Sequence, residues 1–325
     1  FRIPALQAQT GFRDEFIANL PGTNLTCLAV HPDGRIFCGS DLLTNAPSTR
    51  ITVVRPDGSF DSGFQTDGES VDAIAILPNH GVVAAVRLAR NDPQAPIREH
   101  LVRFGPDGQR DPAFGLMVSN RVSSLVSLAD GGILVGGDFE SVAGKAVGYL
   151  ARLRPDGALD DTFAPVLTNR VECVNLQSDG RILIGENTAP AGTAGVVRLN
   201  ADGTRDFTRL GTDEWIHSIV TRTSGDLLAA GAVSQGGLWR TDLRDDSSLG
   251  NLIKESDVYW PKRTAEFMSL AIQEGGAIWL GGKFDWYYRQ VANLSGGPSS
   301  LGRRLIPSAL ALRSDGSRRC TRSWR

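Results

Sequence analysis

The segment HPDGRIFCGS, residues His31 to Ser40, decides the fold because variants of it recur along the chain. It contains the turn sequence Asp33-Gly34, followed by a short apolar strand. Similar segments are LADGGILVGG, residues 128–137, and QSDGRILIGE, residues 177–186. Asp and Gly tolerate the backbone angles of tight turns, Gly including positive φ. The segment therefore predicts a β-hairpin that the chain repeats.

An apolar residue eleven positions before each strand start marks six repeats. These anchor residues are Leu25, Val71, Val122, Val171, Ile216 and Phe267. Successive anchors are 46, 51, 49, 45 and 51 residues apart. The residue two positions after each anchor is small, and the next one is apolar. A recurring period in this range is typical of repeat architectures.

Each repeat continues with a second strand and turn, clearest in LVRFGPDGQRDPAF, residues 101–114, and LARLRPDGALDDTF, residues 150–163. Residues 51–64 and 196–207 are looser versions. A repeat thus contains four strands, and no segment shows the period of an amphipathic helix. The strands are apolar on both faces, as expected where sheets are covered on both sides. We expect four-stranded antiparallel sheets that pack against one another.

A closed ring of such sheets, a β-propeller, is predicted by this period, and a linear solenoid is the alternative. The two chain ends favour the ring. GFRDEF, residues 11–16, looks like the end of a repeat, whereas the last repeat stops soon after its turn at Asp315-Gly316. We therefore predict an all-β, six-bladed β-propeller, one domain over residues 1–325, in which an N-terminal strand completes the last blade.

Composition argues against several classes of partner. A formal net charge of −2 and a pI near 6.1 provide no basic surface for nucleic acid. No apolar run reaches the roughly 18–20 residues that span a bilayer. The chain begins without Met and without a basic segment followed by an apolar one, so we expect a signal peptide to be absent or already removed.

The cysteines show no metal-ligand spacing. They are Cys27, Cys38, Cys173 and Cys320. If the first hairpin has a type I turn followed by a Gly in the left-handed region, His31 faces Arg35, and Cys38 lies opposite Leu28. Cys27 and Cys38 then point to opposite faces of the sheet, and we predict free thiols.

Four motifs carry a resemblance to a known family: PDGSFDSGF, PDGQRDPAF, PDGALDDTF and ILVGGDFESVAG. With them the chain closely resembles the delta-60 repeat family, bacterial β-propeller-like repeats of large secreted or surface-exposed proteins. The resemblance covers nearly the whole chain and is strongest over residues 100–200. It fades in the fifth repeat and after Gly316. It implies a propeller fold and an extracellular setting, and it implies no reaction.

An Asp three residues before a Phe recurs at the end of the repeat. The acidic residues are Asp61, Asp111 and Asp160. A calcium loop would use such carboxylates, but its twelve-residue ligand spacing with a terminal Glu is absent. We predict that each Asp accepts backbone N–H groups in its turn and that the following Phe packs between repeats. Arg103, Arg152 and Arg198 are predicted to bind these carboxylates.

The motif GGDF, residues 136–139, resembles a signature of cyclic-dinucleotide synthesis. That chemistry needs a further acidic residue and an α/β fold, and GGKF recurs at residues 281–284 in the equivalent position of another repeat. We interpret these glycines as permitting close backbone approach at a strand end.

The residue after each anchor is the candidate lining of a central channel. These residues are Thr26, Asp72, Ser123, Glu172, His217 and Met268. Asp72, Glu172 and His217 could converge there and bind a divalent cation such as calcium, as in propeller hydrolases and lactonases. Mixed polar residues also line solvated channels without function, so both interpretations stay open. No G-x-S-x-G motif indicates a nucleophile.

Aromatic residues are concentrated near the end of the chain, where six of the ten Trp and Tyr residues lie within residues 259–288. Extra residues interrupt the repeat at 245–263 and 285–304. Such insertions form loops that often bind ligands, and Trp and Tyr suit stacking on sugars or anchoring a protein. We predict Tyr259, Trp260, Trp286, Tyr287 and Tyr288 as ligand-binding residues. Trp279 is expected in the core, and Arg303-Arg304 at the rim of the surface.

These observations predict a non-catalytic, extracellular bacterial module that binds a protein or a glycan or serves as a scaffold, without a cofactor. It could form part of a larger surface protein. The alternative is a propeller hydrolase or lactonase with a divalent metal at the central channel. A third hypothesis is a glycan-binding lectin built on the aromatic insertions.

Overall fold

A computed structural model describes residues 24–41, 51–61, 64, 70–88, 97–187, 194–212, 215–221, 226–233, 237–242, 253–254, 265–272, 278–283 and 309–312. These ranges contain 24 β-strands and no helix. The all-β prediction is therefore confirmed. Within these ranges there is accordingly no apolar helix of the length that a bilayer requires.

The chain divides into two compact units. The first comprises Pro4–Leu176 and Ala201–Thr204, and the second comprises Phe1–Ile3, Gln177–Asn200 and Arg205–Arg325. The first unit contains the first three anchors and the fourth, Val171. The second unit contains the remaining two.

The first unit contributes fourteen of the strands. They are β1 (Asn24–Val30), β2 (Ile36–Asp41), β3 (Ile51–Val54), β4 (Phe60–Asp61), β5 (Ser70–Ile76), β6 (Val82–Arg87), β7 (Glu99–Phe104), β8 (Arg110–Val118), β9 (Val122–Ser127), β10 (Ile133–Gly137), β11 (Ser141–Val142), β12 (Lys145–Ala146), β13 (Leu150–Leu153) and β14 (Arg170–Leu176).

The second unit contributes the other ten strands. They are β15 (Ile182–Asn187), β16 (Ala194–Leu199), β17 (Arg205–Thr212), β18 (Trp215–Thr221), β19 (Asp226–Val233), β20 (Gly237–Asp242), β21 (Ile253–Lys254), β22 (Ala265–Ile272), β23 (Ile278–Lys283) and β24 (Ala309–Leu312).

The first hairpin has the predicted register. The N–H of His31 donates to the carbonyl of Arg35 at 2.8 Å, and Leu28 pairs with Cys38. Gly34 has a φ of 88°, the left-handed conformation that the turn requires. The three cysteines within the described residues, Cys27, Cys38 and Cys173, are free thiols, as predicted. Cys320 lies outside the described residues.

Strand pairing in the first unit joins neighbouring repeats into larger sheets. One sheet has the order β12-β11-β8-β7-β6-β5-β2-β3-β4, with β1 also paired to β2. The first and second repeats meet where Asp41 of β2 pairs with Ser70 of β5. The four antiparallel strands predicted for a repeat are present in both, as β1–β4 in the first repeat and β5–β8 in the second. The Asp41–Ser70 pair joins these two sets of strands into one larger sheet.

The third repeat has only three strands in its sheet, in the order β13-β10-β9. In the second repeat the fourth strand is β8, where Leu116 pairs with Leu101. The third repeat has Pro165 at the position of Leu116. Proline has no N–H to donate to a ladder. The fourth predicted strand is therefore replaced by an irregular segment, and only an isolated bridge pairs Leu153 with Leu159.

In the second unit, β15, β16 and β17 pair in chain order. A second sheet has the order β21-β20-β19-β22-β23-β24, with β18 also paired to β19. Here too successive repeats join, since Ala232 and Val233 of β19 pair with Glu266 and Ala265 of β22.

A β-bulge follows the anchor residue in the first, second, third, fifth and sixth repeats. The pairing register shifts between Leu25 and Cys27, between Val71 and Ala73, opposite Gly136-Gly137, between Ile216 and Ser218, and between Phe267 and Ser269. A bulge leaves one residue unpaired and re-aims its side chain. The extra residue is the one that the sequence placed in the channel lining.

The core is formed by strands that are buried on both faces. Every residue of β10 is buried, as are the first five residues of β6. Two clusters of buried apolar side chains fill the first unit, one around Phe139 and Phe114 and one around Phe37 and Phe104. The predicted coverage of both sheet faces is thus confirmed for these strands.

The six-blade count and the closure of the ring stay predictions. Gly11–Phe16 lies outside the described residues, as do residues 313–325 after β24.

Candidate functional site

Arginine, aspartate and phenylalanine side chains form a repeated contact, which we call the Arg–Asp–Phe latch. In the second repeat, Arg103 donates from Nε and Nη2 to Asp111 Oδ2 at 2.9 and 2.6 Å. In the third repeat, Arg152 Nε donates to Asp160 Oδ2 at 2.7 Å. Each guanidinium also lies over the Phe ring that follows, Phe114 or Phe163, at 4.5 and 4.7 Å from the ring centre.

The arginine of each latch also donates a hydrogen bond to a carbonyl in the turn of the next repeat. Arg103 Nη1 donates to the carbonyl of Pro155 at 2.6 Å, and Arg152 Nη1 donates to the carbonyl of Ala201 at 2.8 Å. Phe114 fills the space beside Gly157, where an added Cβ would lie 2.7 Å from the ring. Gly157 also has a φ of 90°. The latch therefore couples one repeat to the next through side chains and backbone together.

The latch carboxylates are held in their charged form. Hydrogen bonds from Thr162 and Arg152 lower the pKa of Asp160 to about 2. Arg103 and the backbone N–H of Ala113 lower the pKa of Asp111. The prediction that these Asp residues accept turn N–H groups and bind Arg is confirmed for Asp111 and Asp160, since Ala113 and Thr162 donate backbone N–H groups to them.

Related ion pairs occur in two other repeats. Arg198 Nε donates to Asp206 Oδ2 at 2.6 Å, and Arg198 is only 1 % exposed. In the first repeat Val53 occupies the position of Arg152, and Arg55 two residues later binds Asp61 at 3.0 Å instead.

The glycines of the GGDF motif have the structural role that the sequence predicted. A Cβ on Gly136 would lie 2.7 and 2.8 Å from side-chain atoms of Val174 and Val171. A Cβ on Gly137 would collide with the backbone carbonyl of Arg121. Neighbouring backbone and side chains therefore occupy the space that any larger residue would need.

Asp72 is buried at the bulge of β5. Its Oδ1 accepts the hydroxyl of Ser70 at 2.7 Å, and its Oδ2 accepts Arg87 Nη2. Arg121 Nε lies 3.9 Å from the same Oδ2. The Asp72 side chain is 2 % exposed. These contacts bind its carboxylate within the protein.

The other two channel candidates are half-buried. Glu172 lies in β14, and His217 is the bulge residue of β18, with its ring 6.4 Å from that of Trp215. The described part of the chain contains no group of three or more His, Cys, Asp or Glu side chains placed to hold a metal ion. The divalent-cation hypothesis stays a prediction.

Glu99 is a buried acidic residue that the sequence reasoning missed. It begins β7 and is fully buried. Its Oε2 accepts the N–H of the anchor Val122 at 2.9 Å. Burial, reinforced by the neighbouring Asp72, raises the pKa of Glu99 to about 9. The only signal in the sequence is a charged residue at the start of the strand, two positions before Leu101.

Side chains from one repeat also bind backbone groups in the first strand of a later repeat. The hydroxyl of Thr26 donates to the carbonyl of Val71, and Ser124 Oγ accepts the N–H of Val174 at 3.1 Å. Asn187 binds both backbone groups of Ile216, accepting its N–H at 2.9 Å and donating to its carbonyl at 3.4 Å. Backbone N–H and C=O groups that the strand ladder leaves unpaired need such partners. Thr26, one of the channel candidates, thus binds the backbone of the next repeat.

The five aromatic residues predicted to bind a ligand lie outside the described residues. They are Tyr259, Trp260, Trp286, Tyr287 and Tyr288. Arg303-Arg304 lies outside as well. For Trp279 the structure describes the backbone of β23, which pairs with β22 and β24.

A family model of β-propeller domains of unknown function, DUF5122, matches residues 128–163 and 177–208. The matched segments include the Arg152–Asp160–Phe163 latch and the two hairpins that most resemble residues 31–40. A search of curated proteins finds no match to this chain.

Two solved structures have folds similar to that of this chain over most of its length. Hydrazine synthase of Kuenenia stuttgartiensis has a TM-score of 0.60 at 11 % identity, over 83 % of this chain and 76 % of that one. The Dos1 propeller has a TM-score of 0.52 at 13 % identity, over 91 % of this chain and 74 % of that one. This chain has a β-propeller fold.

A third similar structure is PorZ of Porphyromonas gingivalis, described as a surface component of the type-IX secretion system. Its TM-score is 0.50 at 11 % identity, over 82 % of this chain and 40 % of PorZ. At such identities these likenesses concern the fold alone.

Proposed function

We propose that this chain is a non-catalytic β-propeller module that binds a protein or glycan partner through the aromatic residues of its inserted segments. We place it outside a bacterial cell or on its surface. The resemblance to the delta-60 repeat family and the fold shared with PorZ, a bacterial surface component, support this setting.

The observation that carries the proposal is the way the described scaffold uses its polar side chains. Arg103 and Arg152 bind carboxylates and turn carbonyls, and Asp72 is buried against Arg87. A catalytic or metal-binding carboxylate has to reach its ligand. A carboxylate already bound by Ser70 and Arg87 is poorly placed to do so, which counts against the channel metal site at Asp72.

The aromatic residues have no such role in the repeat pattern. Tyr259 and Trp260 stand in one segment that interrupts the period, and Trp286, Tyr287 and Tyr288 stand in the other. Residues added to a repeat are free of its packing constraints, and rigid aromatic side chains supply much of the energy of binding surfaces.

The proposal is tested with the full chain on a glycan array and by photo-crosslinking at the surface of bacterial cells. The double variant Trp286→Ala/Tyr287→Ala should lose at least about tenfold in glycan retention, since two stacking residues contribute about 1.4 kcal/mol or more. Phe60→Ala is the control, because Phe60 is a 45 % exposed aromatic residue outside the insertions.

If the partner is a protein, a photo-reactive amino acid at position 287 should form one discrete crosslink, and the same group at position 60 should form none. Equal behaviour of the two positions in both assays contradicts the proposal. A stoichiometric divalent cation in the purified protein, lost in Glu172→Ala, would favour the hydrolase instead.

A further inference from the structure

The surroundings of the buried carboxyl group of Glu99 do not stabilise its ionised form. Glu99 is fully buried, and its Oε2 accepts the N–H of Val122. Its Oε1 is also buried, and among the described residues no donor binds it. A charged oxygen that has lost water and gained no donor is strongly unfavourable.

The groups around Glu99 come from four elements. Asp72 of β5 is its acidic neighbour, and Arg87 at the end of β6 is its cross-strand partner. On β8 it faces Val118, and Arg121 precedes β9. The guanidinium groups of Arg87 and Arg121 both approach Oδ2 of Asp72. Asp72 is therefore the carboxylate that the arginines neutralise, and Glu99 faces it from a site without a donor for Oε1.

In the second unit, a side-chain amide binds the backbone of an anchor residue in the way that Glu99 binds Val122. Asn187 accepts the N–H of the anchor Ile216 with its carbonyl oxygen and still has N–H groups to donate. A protonated carboxyl group has the same pattern, with one accepting oxygen and one donating O–H. Glu99 accepts the N–H of the equivalent anchor, Val122.

We propose that Glu99 acts as a neutral carboxylic acid that joins the second repeat to the third. Its Oε2 accepts the N–H of Val122, and its protonated Oε1 donates to the carboxylate of Asp72. Removal of the proton leaves two carboxylates facing each other in a buried site, so the contact between the repeats weakens when Glu99 ionises.

The stability of the fold should depend on pH, because Glu99 binds its proton more tightly in the folded state than in the unfolded state. The pKa of Glu99 is about 9 in the folded chain, against about 4.3 for an unperturbed Glu. Between these values the folded state keeps a proton that the unfolded state has lost. The stabilisation is thus complete below about pH 4. Above that pH the folding constant falls by about tenfold per pH unit, until the pH reaches the pKa of Glu99 in the folded chain.

The test compares the unfolding equilibrium in urea of the full chain, Glu99→Gln and Glu140→Gln at pH 6, 7 and 8. The Gln amide keeps both hydrogen bonds and does not titrate. The folding constant of Glu99→Gln should therefore rise about tenfold per pH unit relative to the unsubstituted chain. Glu140 is exposed, so its variant should keep the original pH dependence. Parallel pH profiles for Glu99→Gln and the unsubstituted chain would overturn the proposal.

A second measurement does not depend on the folding of the variant. The carboxyl carbons of glutamate in the ¹³C-labelled, unsubstituted protein are followed by NMR from pH 6 to pH 10. One glutamate should have the chemical shift of a protonated acid at pH 7 and should titrate near the alkaline end of this range. If every glutamate has the shift of a carboxylate at pH 7, Glu99 is ionised and the proposal is wrong.

Discussion

Replacing Arg152 with Ala should lower the free energy of unfolding by about 2–4 kcal/mol, because this side chain joins two repeats. Its Nε donates to Asp160 at 2.7 Å, and its Nη1 donates to the carbonyl of Ala201 at 2.8 Å. Its guanidinium lies 4.7 Å from the centre of the Phe163 ring. The substitution removes all three contacts at once.

The magnitude follows from these contacts. Hydrogen bonds to charged groups contribute about 1.5–3 kcal/mol each, and an exposed cation–π contact contributes about 0.5–1 kcal/mol. The Arg152 and Asp160 side chains are 24 % and 12 % exposed, so solvent reduces these values. Asp160 also keeps its bonds from Thr162, which limits the cost of leaving its carboxylate without Arg152.

The assay is equilibrium unfolding in urea, with two matched variants. Arg154 is 51 % exposed and lies 3.7 Å from Asp160 Oδ1, so Arg154→Ala should cost at most about 1 kcal/mol. Arg152→Lys keeps the charge and loses the planar fork, so its cost should be intermediate. If Arg152→Ala costs no more than Arg154→Ala, the latch does not couple the repeats.

Three further predictions concern the turns, the acid limit and the thiols. Gly157→Ala should cost about 2–4 kcal/mol, because it adds an overlap with the latch phenylalanine to the strain of positive φ. Gly58→Ala should cost only about 1–2 kcal/mol in the same urea assay, because Gly58 has a similar φ of 84° and open space; equal costs would contradict the contact. The pKa of Asp160 is about 2, below that of an unfolded Asp, so its stabilisation is present above about pH 4 and lost as the pH falls. Asp160→Asn should therefore flatten the decline of the melting temperature between pH 4 and 2, and an unchanged decline would contradict this. Burial raises the pKa of Cys27 to about 12 and that of Cys38 to about 11, so iodoacetamide at pH 8 should modify them only after unfolding, as read by peptide mass spectrometry. Rapid modification of the folded chain would contradict the raised pKa values of these thiols.

Local turn chemistry is the part of the fold that the sequence predicts best. The Asp-Gly turn determines the loop length, and the loop length determines which residues face each other. The pairs His31 with Arg35 and Leu28 with Cys38 follow from that rule alone. The Arg–Asp partners of the latch are also predictable, because their spacing from the turn repeats.

Side-chain direction at the bulges is harder to predict. The alternation of a regular strand does not describe the residue after the anchor, since the bulge takes that residue out of the ladder. Its polar identity is compatible with a channel lining, and the structure shows the Asp72 carboxylate buried in an ion pair with Arg87. The role of Glu99 could not be predicted for a different reason. Its neighbours are distant in sequence, and only the fold brings its side chain to the N–H of Val122.

The number of strands in each sheet also depends on single residues that the repeat pattern does not indicate. One proline, Pro165, is associated with the missing fourth strand of the third repeat, and one pair, Asp41 with Ser70, merges the first two repeats. The repeat period depends on the turns and anchors, which these residues leave unchanged.

The arrangement of the six repeats tests the central claim most directly. A crystal structure of the full chain should show six sheets around one axis, with the segment Gly11–Phe16 hydrogen-bonded beside Ala309–Leu312. An open array, another number of sheets, or a distant position of Gly11–Phe16 would contradict the closed propeller.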